Sequence, residues 1–239
     1  MINIYDDALY ILNVLNGSGF DAYIVGGYPR DKYLNILSED FDICTSATPK
    51  EVAVIFKECD LSFSKFGRAD IYLRGHIYQV TTFRKDICYD ERRMPTIRYV
   101  NSLTEDIKRR DFTINTLLID SKGNYIDVCG AKEDIENKII RTVKNASESI
   151  VEDPLRILRA LRFSIKFGFV LDDELELAIN SNKGLLKNIS SRKIRHEIEK
   201  MMDIDEEKSK DLLKTFNLEK YCNSSNRKFK KRIQSKQGR

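Results

Sequence analysis

Two aspartates spaced one residue apart are the first candidates for chemistry in this sequence. Asp40 and Asp42 flank Phe41 in a segment with the pattern of a β-strand. Side chains at positions i and i+2 of a strand point to the same face, so we expect the two carboxylates side by side. Adjacent carboxylates repel each other unless a cation lies between them, and hard oxygen ligands suit Mg²⁺. The spacing therefore predicts a magnesium site, although Asp-x-Asp also occurs often in turns.

A glycine pair upstream forms a candidate phosphate site. Gly26 and Gly27 lie between an apolar segment, 22–25, and a helix expected from Pro29, because proline suits a first helical turn. Glycine lets the backbone approach a phosphate closely, and a helix N-terminus offers unpaired N–H groups. Arg30 adds a permanent positive charge there. Glycine is common in strand-to-helix turns, so the pair alone is weak evidence for a phosphate site. The nearby aspartates strengthen that interpretation. Together they indicate metal-assisted phosphoryl transfer.

The elements that must position these groups follow from hydrophobic periodicity and turn residues. Residues 48–51, Thr-Pro-Lys-Glu, form a capping box with proline at the first helical position, which predicts a helix start. Arg74-Gly75 separates two apolar segments and predicts a hairpin. In chain order we predict a helix over 6–16, strands over 22–25 and 41–45, a helix over 48–56, a hairpin of 70–73 and 77–83, and a polar, mobile loop over 85–95.

The pattern changes after Asn145, where only helical periodicity follows, around 147–168, 172–182, 191–202 and 206–216. The fold class is therefore predicted as α+β: a head with a mixed β-sheet flanked by helices, followed by an all-helical neck. We place the head at 1–145, the neck at 146–220 and a basic tail at 221–239.

The net charge of +4 comes from the tail, where residues 224–239 hold seven Lys or Arg and no acid. Without these seven, 34 basic residues face 37 acidic ones, a net charge of −3. Such a segment is either a solvated terminus or a phosphate-seeking arm. The five cysteines form no C-x-x-C pair, and there is no long apolar run or signal-like start. We therefore expect reduced thiols, no membrane span and a cytoplasmic location.

Several motifs in this order resemble one enzyme family. Residues 23–47 are similar to the opening motif of the class II tRNA nucleotidyltransferases (CCA-adding enzymes) and bacterial poly(A) polymerases. Further similarity lies in a flexible-loop motif at 89–95, a ribose and nucleotide motif at 109–115, a base-selecting motif at 152–169 and a neck motif at 190–197. The resemblance covers about 8–202 and implies a polymerase-beta-like nucleotidyltransferase head.

The resemblance also implies roles for individual residues. Asp40 and Asp42 would be the catalytic aspartates that bind Mg²⁺. Asp153 and Arg156 would read the Watson–Crick edge of CTP or ATP, since a carboxylate accepts from an exocyclic amine and a guanidinium donates in a fixed fork. The nucleotide-binding set implied as a whole is Gly26, Gly27, Arg30, Arg110, Asp111, Asp153, Arg156, Arg159 and Arg162.

Three departures from the family pattern stand out. Gln79 occupies a position where family members commonly carry Glu, which would remove one charge if that position assists the metal. Arg192 and Lys193 replace a usual Glu-Arg pair in the neck motif. Relatives also continue into further helical domains that grip tRNA.

The implied activity is Mg²⁺-dependent, template-free addition of C and/or A to the 3′ end of tRNA or another RNA from CTP and ATP. Two alternatives stay open. One is a poly(A) polymerase or A-adding enzyme, which would use the same residues. The other is a non-catalytic, shortened paralogue that binds RNA or nucleotide, which Gln79 and the short length favour.

Overall fold

The computed structural model describes residues 4–39, 41–89 and 95–223. Asp40, the loop residues 90–94 and the tail from 224 lie outside this part, so the predictions made for them stay predictions. The chain divides into two compact units, 1–137 and 138–239, and the first ends a few residues before the boundary predicted at 145.

The first unit is built on a mixed β-sheet, as the sequence predicts. Within the described residues the sheet has seven strands in the order β3-β4-β5-β2-β1-β8-β9. Strands β2 and β5 run parallel, and the other neighbouring pairs run antiparallel. The strands are β1 (Ala22–Val25), β2 (Asp42–Thr45), β3 (Cys59–Asp60), β4 (Arg68–Leu73), β5 (His76–Thr82), β8 (Leu118–Ile119) and β9 (Tyr125–Ile126).

The two faces of this sheet differ in chemistry. On one face a row of apolar side chains crosses five strands and is buried in the core against helices α1 (Ile4–Gly17) and α3 (Pro49–Ile55): Ile119, Ile24, Ile43, Val80 and Ala69. The next row points to the opposite face because side chains alternate along a strand. Its members are Val25, Asp42, Gln79, Asp70 and Asp60. The sheet therefore has one apolar face and one face that carries a polar row.

Helices of the first unit begin where the sequence provides caps. Thr48 accepts a hydrogen bond from the backbone N–H of Glu51, and the Glu51 side chain accepts from the Thr48 N–H, which confirms the predicted capping box. Ser102 caps another helix through a single bond, in which its hydroxyl oxygen accepts from the backbone N–H of Glu105. The helices are α1 (Ile4–Gly17), α2 (Gly27–Tyr33), α3 (Pro49–Ile55), α4 (Leu103–Lys108) and α5 (Ala131–Glu136).

The loop predicted over 85–95 is wrong in part. Strands β6 (Arg84–Tyr89) and β7 (Pro95–Tyr99) pair antiparallel in a separate two-stranded sheet, with a register shift between Asp86 and Cys88. The ribbon contacts the turn before β4, where a β-carbon on Gly67 would meet the side chains of Tyr99 and Ile97. Backbone pairing alone defines these strands, so hydrophobic patterning does not reveal them.

The second unit is mainly helical but not entirely so. Strand β10 (Ile139–Ile140) pairs in parallel with β11 (Val170–Leu171), which the all-helical prediction missed because each strand has only two residues. The helix predicted over 147–168 is interrupted at Asp153-Pro154. The helices are α6 (Ala146–Glu152), α7 (Arg156–Phe167), α8 (Asp173–Asn182), α9 (Ser191–Ile204), α10 (Glu206–Thr215) and α11 (Lys220–Asn223).

A helix must be long and apolar to cross a bilayer, and the helices in the described residues are short. The longest helices there, α1 and α9, have 14 residues each, whereas a span needs about 20. No helix in the described ranges is both long and apolar enough to span a membrane.

Candidate functional site

The Asp42 carboxylate lies against the glycine turn. Gly26 follows β1, caps helix α2 and has φ 85° and ψ −129°, a conformation that L side chains rarely adopt. A β-carbon built on Gly26 would lie 3.1 Å from Oδ2 of Asp42. Glycine is therefore required here for two reasons, the backbone conformation and the close approach of a carboxylate.

Asp42 is the first residue of β2, and Asp40 lies outside the described residues. The side-by-side arrangement of the two aspartates therefore stays a prediction. The register gives Asp42 another polar neighbour instead. Gln79 pairs with Asp42 across β2 and β5, and Asp70 pairs with Gln79 across β4 and β5. The three side chains point to one side of the sheet, with strands about 4.8 Å apart.

Arg68 is bound within this polar row. Its Nε and Nη2 donate to the two carboxylate oxygens of Asp70 at 2.5 and 2.7 Å, a bidentate ion pair. The guanidinium also lies over the ring of Phe63, 4.8 Å from its centroid. The hydrogen bond to Asp70 is the main cause that raises the pKa of Arg68, and the charge of Asp42 raises it further. Asp42 and Arg68 are thus close enough to interact electrostatically.

A second guanidinium, that of Arg110, also interacts with Asp42. Burial lowers the pKa of Arg110, but the charges of Asp106 and, more weakly, Asp42 outweigh that effect and raise it. Its Nη2 donates to Asp106 Oδ2 at 2.8 Å. Its Nε is buried and has no hydrogen-bond partner within the described ranges. A donor on a buried cation that has no partner costs free energy, so this atom has hydrogen-bonding capacity left for a ligand oxygen.

Asp106 anchors this arginine and its neighbour. The carboxylate is fully buried and accepts from Nε of Arg109 at 2.8 Å as well as from Arg110. It also accepts from the backbone N–H of Arg84 at 3.1 Å. Burial raises the pKa of Asp106, but the charges of Arg110 and Arg109 and the N–H bond lower it overall. The carboxylate is therefore held ionised and fixes both guanidinium groups.

Arg30 lies inside a buried network. It is 3% exposed, and its Nε donates to Asp31 Oδ1 at 2.8 Å. Its Nη1 donates to Oδ1 of Asn115, whose amide in turn donates to Asp111 Oδ1 at 3.0 Å. This chain of bonds connects the glycine turn to the 109–115 motif. The structure thereby brings together Gly26, Gly27, Arg30, Arg110, Asp111 and Asp42 in the first unit.

The chemistry of this cluster fits a divalent cation. Asp42 offers a hard oxygen donor at a turn where only glycine leaves room for it, and that donor type is the one Mg²⁺ prefers. In the described part of the chain no three acidic, His or Cys side chains converge on one point. The second predicted ligand, Asp40, lies outside that part.

In the second unit, Asp153 and Arg156 occupy the break between two helices. Asp153 is the C-cap of α6 with extended angles, φ −138° and ψ 94°, and its Oδ1 accepts from the backbone N–H of Leu155 at 3.1 Å. Arg156 begins α7 and is 5% exposed, with Nη1 bonded to Ser149 Oγ at 2.7 Å. The break follows from Pro154, which disfavours helical angles in the residue before it.

Arg159 and Arg162, further along α7, both approach Phe163. The Arg159 guanidinium lies 5.7 Å from the ring centroid and that of Arg162 lies 4.4 Å from it. Arg162 also donates from Nε to Oε2 of the buried Glu197 at 2.8 Å. Arg162 therefore links α7 to α9, a structural contact that its place in the base-selecting motif does not indicate.

The sequence interpretation missed several residues that shape these sites. Asp106 lies four residues before Arg110, the spacing at which an acidic and a basic side chain form an ion pair on a helix. That spacing could have identified Asp106 from the sequence. Asp70 and Arg68 become relevant only through strand register, which the sequence does not specify. The missed residues are Arg68, Asp70, Asp106, Asn115, Ser149 and Glu197.

Curated relatives of high similarity are CCA-adding enzymes. The enzyme of Lactobacillus johnsonii is 42% identical over 199 residues, which cover 83% of this chain and 50% of that protein. The enzyme of Geobacillus stearothermophilus is also 42% identical over 199 residues, covering 83% and 49%. The chain spans about half the length of the curated relatives it matches.

Solved structures with the same fold include two ligand complexes. The Bacillus stearothermophilus CCA-adding enzyme in complex with CTP matches with a TM-score of 0.77 and 41% identity, over 84% of this chain and 49% of that one. The Thermotoga maritima CCA-adding enzyme complexed with tRNA matches with a TM-score of 0.75 and 26% identity, over 91% and 52%. The family described as the poly A polymerase head domain matches residues 22–141, half of this chain. The chain therefore belongs to the poly A polymerase head domain family.

Proposed function

We propose that this chain is a nucleotidyltransferase that adds C and/or A, from CTP and ATP, to the 3′ end of tRNA without a template. One observation carries the proposal: the Asp42 carboxylate lies against the positive-φ turn at Gly26, within reach of the charges of Arg68 and Arg110. The CCA-adding enzymes that resemble this chain, with structures bound to CTP, ATP and tRNA, support it.

Asp42, together with Asp40, would hold a catalytic Mg²⁺. Their carboxylate oxygens match its preference for hard donors. When bound, Mg²⁺ would neutralise charge at the reacting α-phosphate and lower the pKa of the RNA 3′-hydroxyl that attacks it, with pyrophosphate leaving. The residues of the chain supply the binding and orientation, and no covalent enzyme intermediate is needed.

The triphosphate would be bound by the turn and by Arg110. The N–H groups at the start of α2 suit phosphate oxygens, and glycine at 26 and 27 leaves the backbone accessible. Arg110 offers its buried Nε as a donor. Arg30 is bonded to Asp31 and Asn115, so we propose that it fixes the turn and positions Asp111 for the ribose hydroxyl.

The second unit would select the base. Asp153 and Arg156 come close in sequence at a helix break, where a carboxylate and a guanidinium can match an amine donor and a ring-nitrogen acceptor. Cytosine and adenine both present that pattern on their Watson–Crick edges. The same pair can therefore serve both nucleotides, and Arg159 would line this site beside it.

The test is extension of tRNA that lacks its 3′ CCA end, with each nucleoside triphosphate supplied singly and in combination. We expect Mg²⁺-dependent incorporation of C and then A, and a loss of about a hundred- to a thousandfold in rate for Asp42→Asn, typical of losing a main source of transition-state charge stabilisation. Asp203→Asn, an exposed aspartate on α9, is the matched control and should retain full activity. Incorporation unaffected by Asp42→Asn would refute the site.

Two other outcomes would identify the alternatives. Incorporation of ATP alone onto any RNA would indicate a poly(A) polymerase or A-adding enzyme. That activity also fits the description of the matched family, the poly A polymerase head domain. Nucleotide or RNA binding without incorporation would indicate a non-catalytic protein, in keeping with Gln79 in the polar row.

A further inference from the structure

Ser149 contacts both members of the Asp153–Arg156 pair. Its hydroxyl oxygen accepts from Nη1 of Arg156 at 2.7 Å, and its carbonyl oxygen accepts from the same nitrogen at 3.3 Å. That carbonyl also accepts from the backbone N–H of Asp153 at 3.2 Å. One residue of α6 is thereby bonded to the backbone of the carboxylate residue and to the side chain of the guanidinium residue.

The contact is buried and specific. Ser149 is 0% exposed and Arg156 is 5% exposed, so water does not compete strongly for either group. A hydrogen bond to a charged group in such a place is stronger than one between neutral groups. Because the guanidinium is planar, holding Nη1 at two oxygens of one residue restricts the rotation of the whole fork.

Glu152 also approaches Arg156, but less closely than Ser149 does. Oε2 of Glu152 lies 3.8 Å from Nη1, beyond hydrogen-bond distance. Glu152 is also paired with Lys144, and its side chain is 40% exposed. Of these two residues, the serine is the one within hydrogen-bond distance of Nη1.

We propose that Ser149 is a positioning residue that orients Arg156 for reading the base, an inference that rests on the proposed function. The guanidinium must present its donors at a fixed angle to discriminate the cytosine or adenine edge from that of uracil or guanine. Without the serine hydroxyl oxygen, the fork loses the shorter of the two contacts that Ser149 makes with Nη1 and should discriminate less sharply between base edges. Loss of Ser149 should therefore reduce nucleotide selectivity more than it reduces the rate with the correct nucleotide.

The experiment compares Ser149→Ala and Ser149→Cys with Ser209→Ala in the full chain. Cysteine has nearly the same volume as serine but is a weak acceptor, so it removes the bond while it keeps the packing. Ser209 is the matched control because it is also 0% exposed and its hydroxyl donates to a backbone carbonyl, that of Asp205. The readouts are kcat/KM for CTP and for UTP, and binding of each nucleotide by calorimetry.

We expect the ratio of kcat/KM for CTP over UTP to fall about tenfold in both Ser149 variants, the effect of one lost charge-assisted hydrogen bond. The CTP-to-UTP binding ratio should fall in parallel. Ser209→Ala should leave both ratios unchanged, and Ser149→Thr, which keeps the oxygen, should restore them.

Ratios that stay at the wild-type value in Ser149→Cys would overturn the proposal. Equal losses for all nucleotides in the Ser149 and Ser209 variants would also overturn it, because they would reveal a purely structural role. A wild-type chain that binds and incorporates neither nucleotide would refute the proposed function itself, and this inference with it. Inactivity of the wild-type chain is measured before any variant is compared. Failure of the proposed function can therefore be distinguished from failure of the role proposed for Ser149.

Discussion

Gln79 pairs with Asp42 across the parallel strands β2 and β5, so its amide points to the same side of the sheet as the carboxylate. On its other side Gln79 pairs with Asp70, which is bound to Arg68. A neutral residue therefore separates two acidic ones. A glutamate at this position would put three carboxylates in one row at strand spacing.

For this reason we expect Gln79→Glu to strengthen divalent-cation binding and to lower the stability of the metal-free protein. Like charges directly opposite each other across strands destabilise a sheet by about 0.2–1 kcal/mol. Titration with Mn²⁺, followed by electron paramagnetic resonance, should give a lower Kd than wild type, and the melting temperature without metal should fall. Gln79→Met is the neutral control. Unchanged Mn²⁺ affinity in Gln79→Glu would show that position 79 does not face the cation.

Gly26→Ala should disable the turn more severely than its backbone angle alone would. Gly19 has nearly the same φ, 88° against 85°, but has no atom within 4 Å of its β-carbon position, whereas Gly26 has Asp42 Oδ2 at 3.1 Å. Both alanines should cost about 1–3 kcal/mol for a positive-φ backbone that L residues rarely adopt. Only Gly26→Ala should also lose Mn²⁺ binding and activity, because it displaces Asp42. Equal behaviour of the two variants would contradict the contact.

Asp106→Asn should destabilise the first unit by about 3 kcal/mol, because it leaves Arg109 and Arg110 buried without their counter-ion. Urea denaturation measures this loss. Glu105→Gln, at the half-exposed neighbouring position, is the control and should change stability by less than about 0.5 kcal/mol.

The pH dependence of Asp106 has a definite sign. Its folded-state pKa lies below the ordinary value of 3.8. Its contribution is therefore fully present above about pH 4 and is lost as the pH falls through the lower, folded value. Below that pH, wild type and Asp106→Asn should converge in stability. A difference that persisted at that acidity would show that the arginine pairs do not depend on the ionised carboxylate.

Glu197→Gln should destabilise the second unit through Arg162. Glu197 is 4% exposed and its partner's Nε is 2.8 Å away, so the change leaves a largely buried guanidinium without its counter-ion at a cost of about 3 kcal/mol. Removal of both charges in Arg162→Met with Glu197→Gln should recover most of that loss, since no unpaired charge remains. Glu199→Gln on the same helix serves as the control. Strictly additive losses in the double variant would disprove the pair.

Much of the local structure could be predicted because the responsible residues are neighbours in sequence. The capping box at 48–51 and the hairpin turn at Arg74-Gly75 are examples, and both are confirmed. The β6–β7 ribbon was missed because strand pairing, not apolar periodicity, defines it. Pro154 is a sequence signal for a helix break, but it was overlooked because the apolar residues on both sides of it have helical spacing. The row that joins Asp42, Gln79 and Asp70 depends on which strands become neighbours, and no local pattern encodes that.

The short parallel pairing of β10 with β11 has a practical consequence for anyone who isolates the second unit. A fragment that starts at 146, where the long helical pattern begins, would lack residues 139 and 140 and leave Val170 and Leu171 with an open backbone edge. Val170 is already 63% exposed, so such an edge invites intermolecular strand addition and aggregation. A fragment that starts at 138 keeps its own edge covered and should remain monodisperse where the shorter one precipitates.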